Sequence, residues 1–181
     1  MRELVTHGLD RMPKIRMSTS LILVLLVGPA VPSASGAGME QLQTAAEKGE
    51  CAIRYEGKQE PAVALTASAY GLPSVSPQEV VQLLDRFIEN GCSIHAADSN
   101  GTSPVNVAVL THQPELLTYL LNKRGDPTTR IVSARPWANG KNSLEFAELI
   151  LRTKPSSSRA AVVDILKRHE SAVSTSSAKG E

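Results

Sequence analysis

Two segments of this chain repeat each other at a fixed interval, and that narrows the folds open to it. Phe87-Ile88 closes an apolar helical pattern that follows Ser76-Pro77, and Leu120-Leu121 stands 33 residues further on. The second copy is the more regular. DSNGTSPVNVAVLTHQPELLTYLLNKRGDP (Asp98–Pro127) opens on the turn signal Asn100-Gly101. Ser103 is a good helix N-cap and Pro104 suits the first helical position. Val105, Val107, Ala108 and Leu110 give a short apolar helix, and His112-Gln113 gives a turn. From Pro114 onward, Leu116, Leu117, Leu120 and Leu121 recur at helical spacing. The unit is turn, helix, turn, helix. Neither helix is long enough to bury its apolar face alone, so neighbouring copies must stack.

Further copies lie on both sides. AVALTASAY (Ala62–Tyr70) matches the first helix of the unit, and Val80, Val81, Leu83, Leu84, Phe87 and Ile88 match the second. Downstream, NGKNSLEFAELIL (Asn139–Leu151) and AVVDILKRH (Ala161–His169) form a third pair. The leucines at 83, 84, 116, 117, 120 and 121 are assigned to the core.

These residues resemble the ankyrin repeat family. Its signature is a Gly, then Thr-Pro-Leu-His-x-Ala, then a Leu pair before Gly-Ala-Asp. Gly101, Ser103, Pro104, Val105, Asn106 and Ala108 fall in that order, and Leu120-Leu121 takes the place of the pair. Asn90-Gly91-Cys92-Ser93-Ile94 takes the place of the helix-ending segment. Ser103 and Asn106 depart from the family's Thr and His, and Lys123-Arg124-Gly125 shifts the closing Gly by one position. The resemblance implies an all-α fold. It would be an ankyrin-repeat solenoid of stacked helix-turn-helix units with hairpin loops, about three repeats and an N-terminal cap. The expected divisions are a cap over 38–62, repeats over 63–98, 99–138 and 139–170, and a disordered tail over 171–181. MEQLQTAAEKGEC (Met39–Cys51) reads as the first helix of an incomplete repeat. The first and third repeats carry insertions, GLPSVSP (Gly71–Pro77) and RTKPSSSR (Arg152–Arg159). The hairpin RIVSARPWANG (Arg130–Gly140) is lengthened.

Residues 1–37 read as a signal peptide. Arg11, Lys14 and Arg16 are basic, LILVLLV (Leu21–Val27) is apolar, and small residues follow in PSASGAG, which places cleavage near Ser35–Gly38. The apolar run falls short of the roughly 20 residues of a spanning helix; the alternative is an N-terminal anchor. The start could be Met1, Met12 or Met17. The expected location is periplasmic or secreted, with no membrane contact after cleavage. The leader holds Arg2, Arg11, Lys14 and Arg16 against Glu3 and Asp10, so the remainder has 15 basic and 16 acidic side chains. That near-neutral body gives no electrostatic case for nucleic acid.

Cys51 and Cys92 are the only cysteines. In an exported chain they either pair or act as two small buried hydrophobes. Pairing would require the irregular segment Cys51–Pro61 to fold across, because a regular stack puts the two at opposite ends of the helical layer. No metal-ligand spacing surrounds them, and neither metal nor cofactor is expected. His95, His112 and His169 have no ligand at i, i+4, and no Gly-rich phosphate loop or GxSxG stands in the chain. Glu145 and Glu148 read as a solvated edge. The chain is not expected to be an enzyme.

Binding of another protein is the expected function, by a chain that is monomeric alone. The only Trp, Trp137, lies in the longest hairpin with Arg130 and Arg135 beside it, and Trp and Arg dominate binding hot spots. Trp137 could equally fold back over the third repeat. His95 sits in a hairpin where it could touch a partner. Tyr70 and Leu72 form a second candidate patch, or local packing of the first insertion. The resemblance, to small exported bacterial ankyrin-repeat proteins, implies occlusion of a toxin or effector in an immunity-type role. The alternative is a structural or oxidative-stress-associated envelope factor without one tight partner.

Overall fold

A computed structural model describes residues 34–177 of the chain. The leader read over 1–37 therefore lies outside the described residues, except for its last four positions. Those begin the first helix, α1 (Ala34–Lys48). A short antiparallel pair follows, β1 (Ala52–Tyr55) and β2 (Lys58–Pro61). Six helices complete the described chain. They are α2 (Ala62–Ala69), α3 (Pro77–Glu89), α4 (Pro104–Leu110), α5 (Pro114–Asn122), α6 (Ser143–Thr153) and α7 (Ser157–Ser177).

The all-α ankyrin solenoid expected from the sequence is thereby corrected. Seven helices and a two-stranded sheet among the described residues make a mixed architecture. The cause is local. In Ala52–Tyr55 only Ile53 turns into the core. Glu56 and Gly57 both adopt positive φ, 48° and 79°, which is what a two-residue hairpin turn requires. The local signal is the turn pair Glu56-Gly57 in Tyr-Glu-Gly-Lys. The segment Cys51–Pro61, irregular in the repeat register, is a β-hairpin in the structure.

The hairpin also corrects the reading of the cap. The incomplete repeat expected after α1 is replaced by the strands, into which the chain turns directly. α1 packs against both α2 and α3. The Asn90 side chain at the end of α3 donates to the Ala46 carbonyl near the end of α1, at 2.8 Å. The two C-termini thus lie side by side. Cys51 follows one and Cys92 the other, at the same end of the layer and not at opposite ends. They are joined as a disulfide, with Cα atoms 5.1 Å apart.

α2 and α3, α4 and α5, and α6 and α7 pack as successive pairs, with α4 also against α2 and α6, and α5 against α7. The helix starts follow the residues that favour them. Pro occupies the first turn of α3, α4 and α5. The Ser103 hydroxyl accepts the Asn106 N–H, and Asn142 and Glu145 form a reciprocal capping box at α6. Glu145 is therefore a cap as well as a solvated acid, and Glu148 pairs with Lys167 at 3.0 Å. Leu84, Leu116, Leu117 and Leu120 are wholly buried at 0% exposure, with Leu83 and Leu121 also in the core. The segment expected to be a disordered tail continues α7 as far as Ser177. Residues 178–181 lie outside the described part.

Candidate functional site

The lengthened hairpin is itself folded. Ile131 and Gly140 close its base: the Ile131 N–H donates to Lys141 O at 3.0 Å, and the Gly140 N–H to Ile131 O at 2.8 Å. The N–H groups of Ala138 and Asn139 both donate to the Arg135 carbonyl at 3.0 Å. Ser133 N–H donates to Asn139 Oδ1 at 3.0 Å. Ile131 and Ala138 are buried beneath this turn. Its flank rests on the preceding turn, where Gly101 adopts φ +74° and a side-chain carbon would stand only 1.8 Å from the Val132 carbonyl oxygen. Glycine is needed there for both reasons.

Trp137 projects from this frame. It stacks on Phe146 of α6 with ring centroids 5.9 Å apart and an interplanar angle of 21°. Trp137 remains 47% exposed, with Phe146 supporting its ring from one side. The indole thus folds back on the third helix pair and remains partly exposed.

That surface borders an open groove lined by Leu110, His112, Trp137, Leu149, Ile150, Thr153, Lys154 and Arg159, with a volume of about 520 Å³. Leu110 is 38% exposed at the end of α4. At the floor, His112 occupies the α4–α5 turn with φ 55°. Arg159 Nη2 lies 2.8 Å from His112 Nε2, and Arg159 Nη1 donates to the Lys154 carbonyl at 2.6 Å. A guanidinium only donates, so Nε2 accepts and the imidazole is neutral. Burial holds the His112 pKa below its ordinary value, and the positive charges of Arg159 and Lys154 push it the same way. The Val109 carbonyl pulls weakly upward, but its geometry falls short of a hydrogen bond, leaving Nδ1 buried without a partner.

The other sequence candidates do not join this groove. Arg130 braces the hairpin, donating to the Gly140 carbonyl and lying 3.4 Å from Glu145. Arg135 is exposed on the same turn, which its carbonyl organises. His95 is exposed in the preceding loop near Asp126, whose carboxyl lies below the usual carboxylate range. Burial opposes that shift, and hydrogen bonds from Thr128 and Thr129 contribute most to it. Tyr70 is half-buried against the core. Burial raises its pKa, and Glu115 adds to the rise. Leu72 is 43% exposed and lines a cavity of about 140 Å³ with Met39, Leu42, Tyr55, Leu65 and Ala69. The six candidates are therefore distributed over separate regions, and only Trp137 lines the groove.

Sequence reasoning missed Leu110, Leu149, Ile150, Lys154 and Arg159 as surface residues. The last two lie in the insertion Arg152–Arg159, whose departure from the repeat was visible. The leucines and isoleucine carry no such signal, since an apolar residue on an apolar helix reads as core. Among the described residues no cluster of three His, Cys, Asp or Glu side chains could hold a metal ion. Likewise no helix there is long and apolar enough to cross a membrane. No protein-family model matches the sequence, and no curated protein or solved structure matches it. The likeness to ankyrin repeats rests on the residues quoted for it.

Proposed function

We propose that this chain is a non-enzymatic protein-binding module, exported to the periplasm, and that the groove beside Trp137 receives its partner. The observation that carries this reading is the half-exposed indole fixed on Phe146. A large side chain already held in one orientation loses little freedom on binding, which is where much of the cost of association lies. Exposed Leu110 extends the apolar surface across the groove. The polar groups at the floor favour recognition over chemistry: the guanidinium is tethered at two nitrogens and the imidazole accepts its hydrogen bond. Occlusion of a toxin or effector is the form of this role that the ankyrin resemblance suggests.

The test is recovery of a partner from periplasmic extract on the immobilised protein, comparing the native chain with Trp137→Ala and Leu110→Ser. Both substitutions should reduce recovery at least severalfold while leaving the melting transition within a few degrees. Equal recovery by all three overturns the groove as the binding surface. N-terminal sequencing of the protein from cells should begin within Gly36–Met39, and an intact Met1 would refute export.

A further inference from the structure

We propose that the segment bound in this groove is an extended peptide carrying an acidic side chain next to an apolar one, the carboxylate facing Arg159 and Lys154 and the apolar side chain facing Trp137 and Leu110. This rests on the reading of the groove as a protein-binding surface and adds the chemistry of the partner. Two observations support it independently. First, the charge lining the groove is of one sign. Its ionised residues are Lys154 and Arg159, and no carboxylate lines it. Among the described residues neither is ion-paired, whereas Asp85, Glu145 and Glu148 elsewhere each have a basic partner. Second, Arg159 is not a freely moving surface cation. Its hydrogen bonds to the Lys154 carbonyl and His112 Nε2 hold the guanidinium at the floor, and its Nε is buried without an acceptor. A fixed cation beside apolar walls attracts an anion more strongly than a solvated one does, because less water screens the pair.

The shape selects a peptide over a small carboxylic acid. Sites for small ligands enclose most of the ligand surface, whereas this one is an open trough between a half-exposed indole and the ends of α4 and α6.

The single tryptophan makes the test direct, since indole emission reports on this groove alone. A random heptapeptide display library would be selected on the immobilised full chain, and enriched peptides titrated by Trp137 fluorescence. Enriched peptides should contain Asp or Glu adjacent to Leu, Ile, Val or Phe. Replacing that acid by its amide should weaken binding about threefold or more, the scale of a partly exposed ion pair. Lys154→Glu, at an exposed position outside the core, should abolish the acidic preference, as should Arg159→Gln if it melts normally. Peptides that bind at Trp137 with no preference for acids would overturn the acidic partner while leaving the binding surface intact. A library yielding nothing that perturbs Trp137 would overturn both. Decanoate perturbing Trp137 where no peptide does would assign the groove to a small carboxylate instead.

Discussion

The hydroxyl of Ser143 donates to Asn106 Oδ1 at 2.9 Å, and both side chains are completely closed to solvent. Asn106 lies on α4 and Ser143 begins α6, so a buried polar contact joins consecutive helix pairs. Ser143→Ala removes the donor and leaves a buried carbonyl oxygen unmet, which costs about 1–3 kcal/mol. The expected result is that loss in urea unfolding, with Thr118→Ala on the exposed face of α5 changing stability by less than about 0.5 kcal/mol. Equal effects would show that the contact contributes nothing particular.

Gly101→Ala should damage the molecule at a distance. The new carbon would have to displace the Val132 carbonyl and would also sit at a φ that disfavours a side chain. Strain of this kind costs about 1–3 kcal/mol. Because Val132 belongs to the hairpin that carries Trp137, the indole emission of the folded variant should shift. An unchanged spectrum would show that the hairpin is not seated on that turn.

Reduction of Cys51–Cys92, or Cys92→Ser, frees residues 41 positions apart in the chain. Relief of that closure should cost about 2–4 kcal/mol. Amide hydrogen exchange should rise chiefly in α1 and the β-hairpin, which the bridge fastens to α3. A uniform rise through α6 and α7 would contradict this placement.

The pH dependence has a definite sign. His112 has a lowered pKa in the folded chain, so the unfolded chain binds the proton more readily. Its contribution is complete above the unfolded value of about 6.5 and declines as pH falls through that value toward the depressed one. Asp85 and Asp126 are lowered too. Burial of Asp85 acts upward but is outweighed by hydrogen bonds from Lys123 and Tyr119. Their contribution is lost only below about pH 3.9. Asn tolerates the positive φ at position 112. His112→Asn should therefore remove the upper step and keep the lower. Persistence of the upper step would assign it to another group.

Much of the helical framework was legible because its signals are short-range: Ser-Pro starts, Leu pairs and Gly turns act within a few residues. The strands were missed because Ala52–Pro61 is brief and mostly polar, and only the Glu56-Gly57 turn marks it. The pairing of Cys51 with Cys92, one of two alternatives open in the sequence, stayed undecided there for a related reason. Their proximity depends on α1 lying beside α3, a packing choice that no local pattern in Met39–Cys51 encodes. At the groove, Trp137 was legible from its rarity and its irregular surroundings. Arg159 was not, since its partner His112 stands 47 residues earlier and belongs to a different turn.

The covalent bridge is confined to one end of the row of helices. Pulled or digested, the chain would not come apart from both sides alike. The ring that Cys51 and Cys92 close holds the β-hairpin, α2 and α3, while the long run from α4 to α7 lies outside it, retained by packing, hydrogen bonds and the Glu148–Lys167 pair, and is the natural place for unravelling to begin. The groove lies between α4 and α7, nearer that unfastened margin, so a partner that fills it would also act as the clasp the sequence omits there.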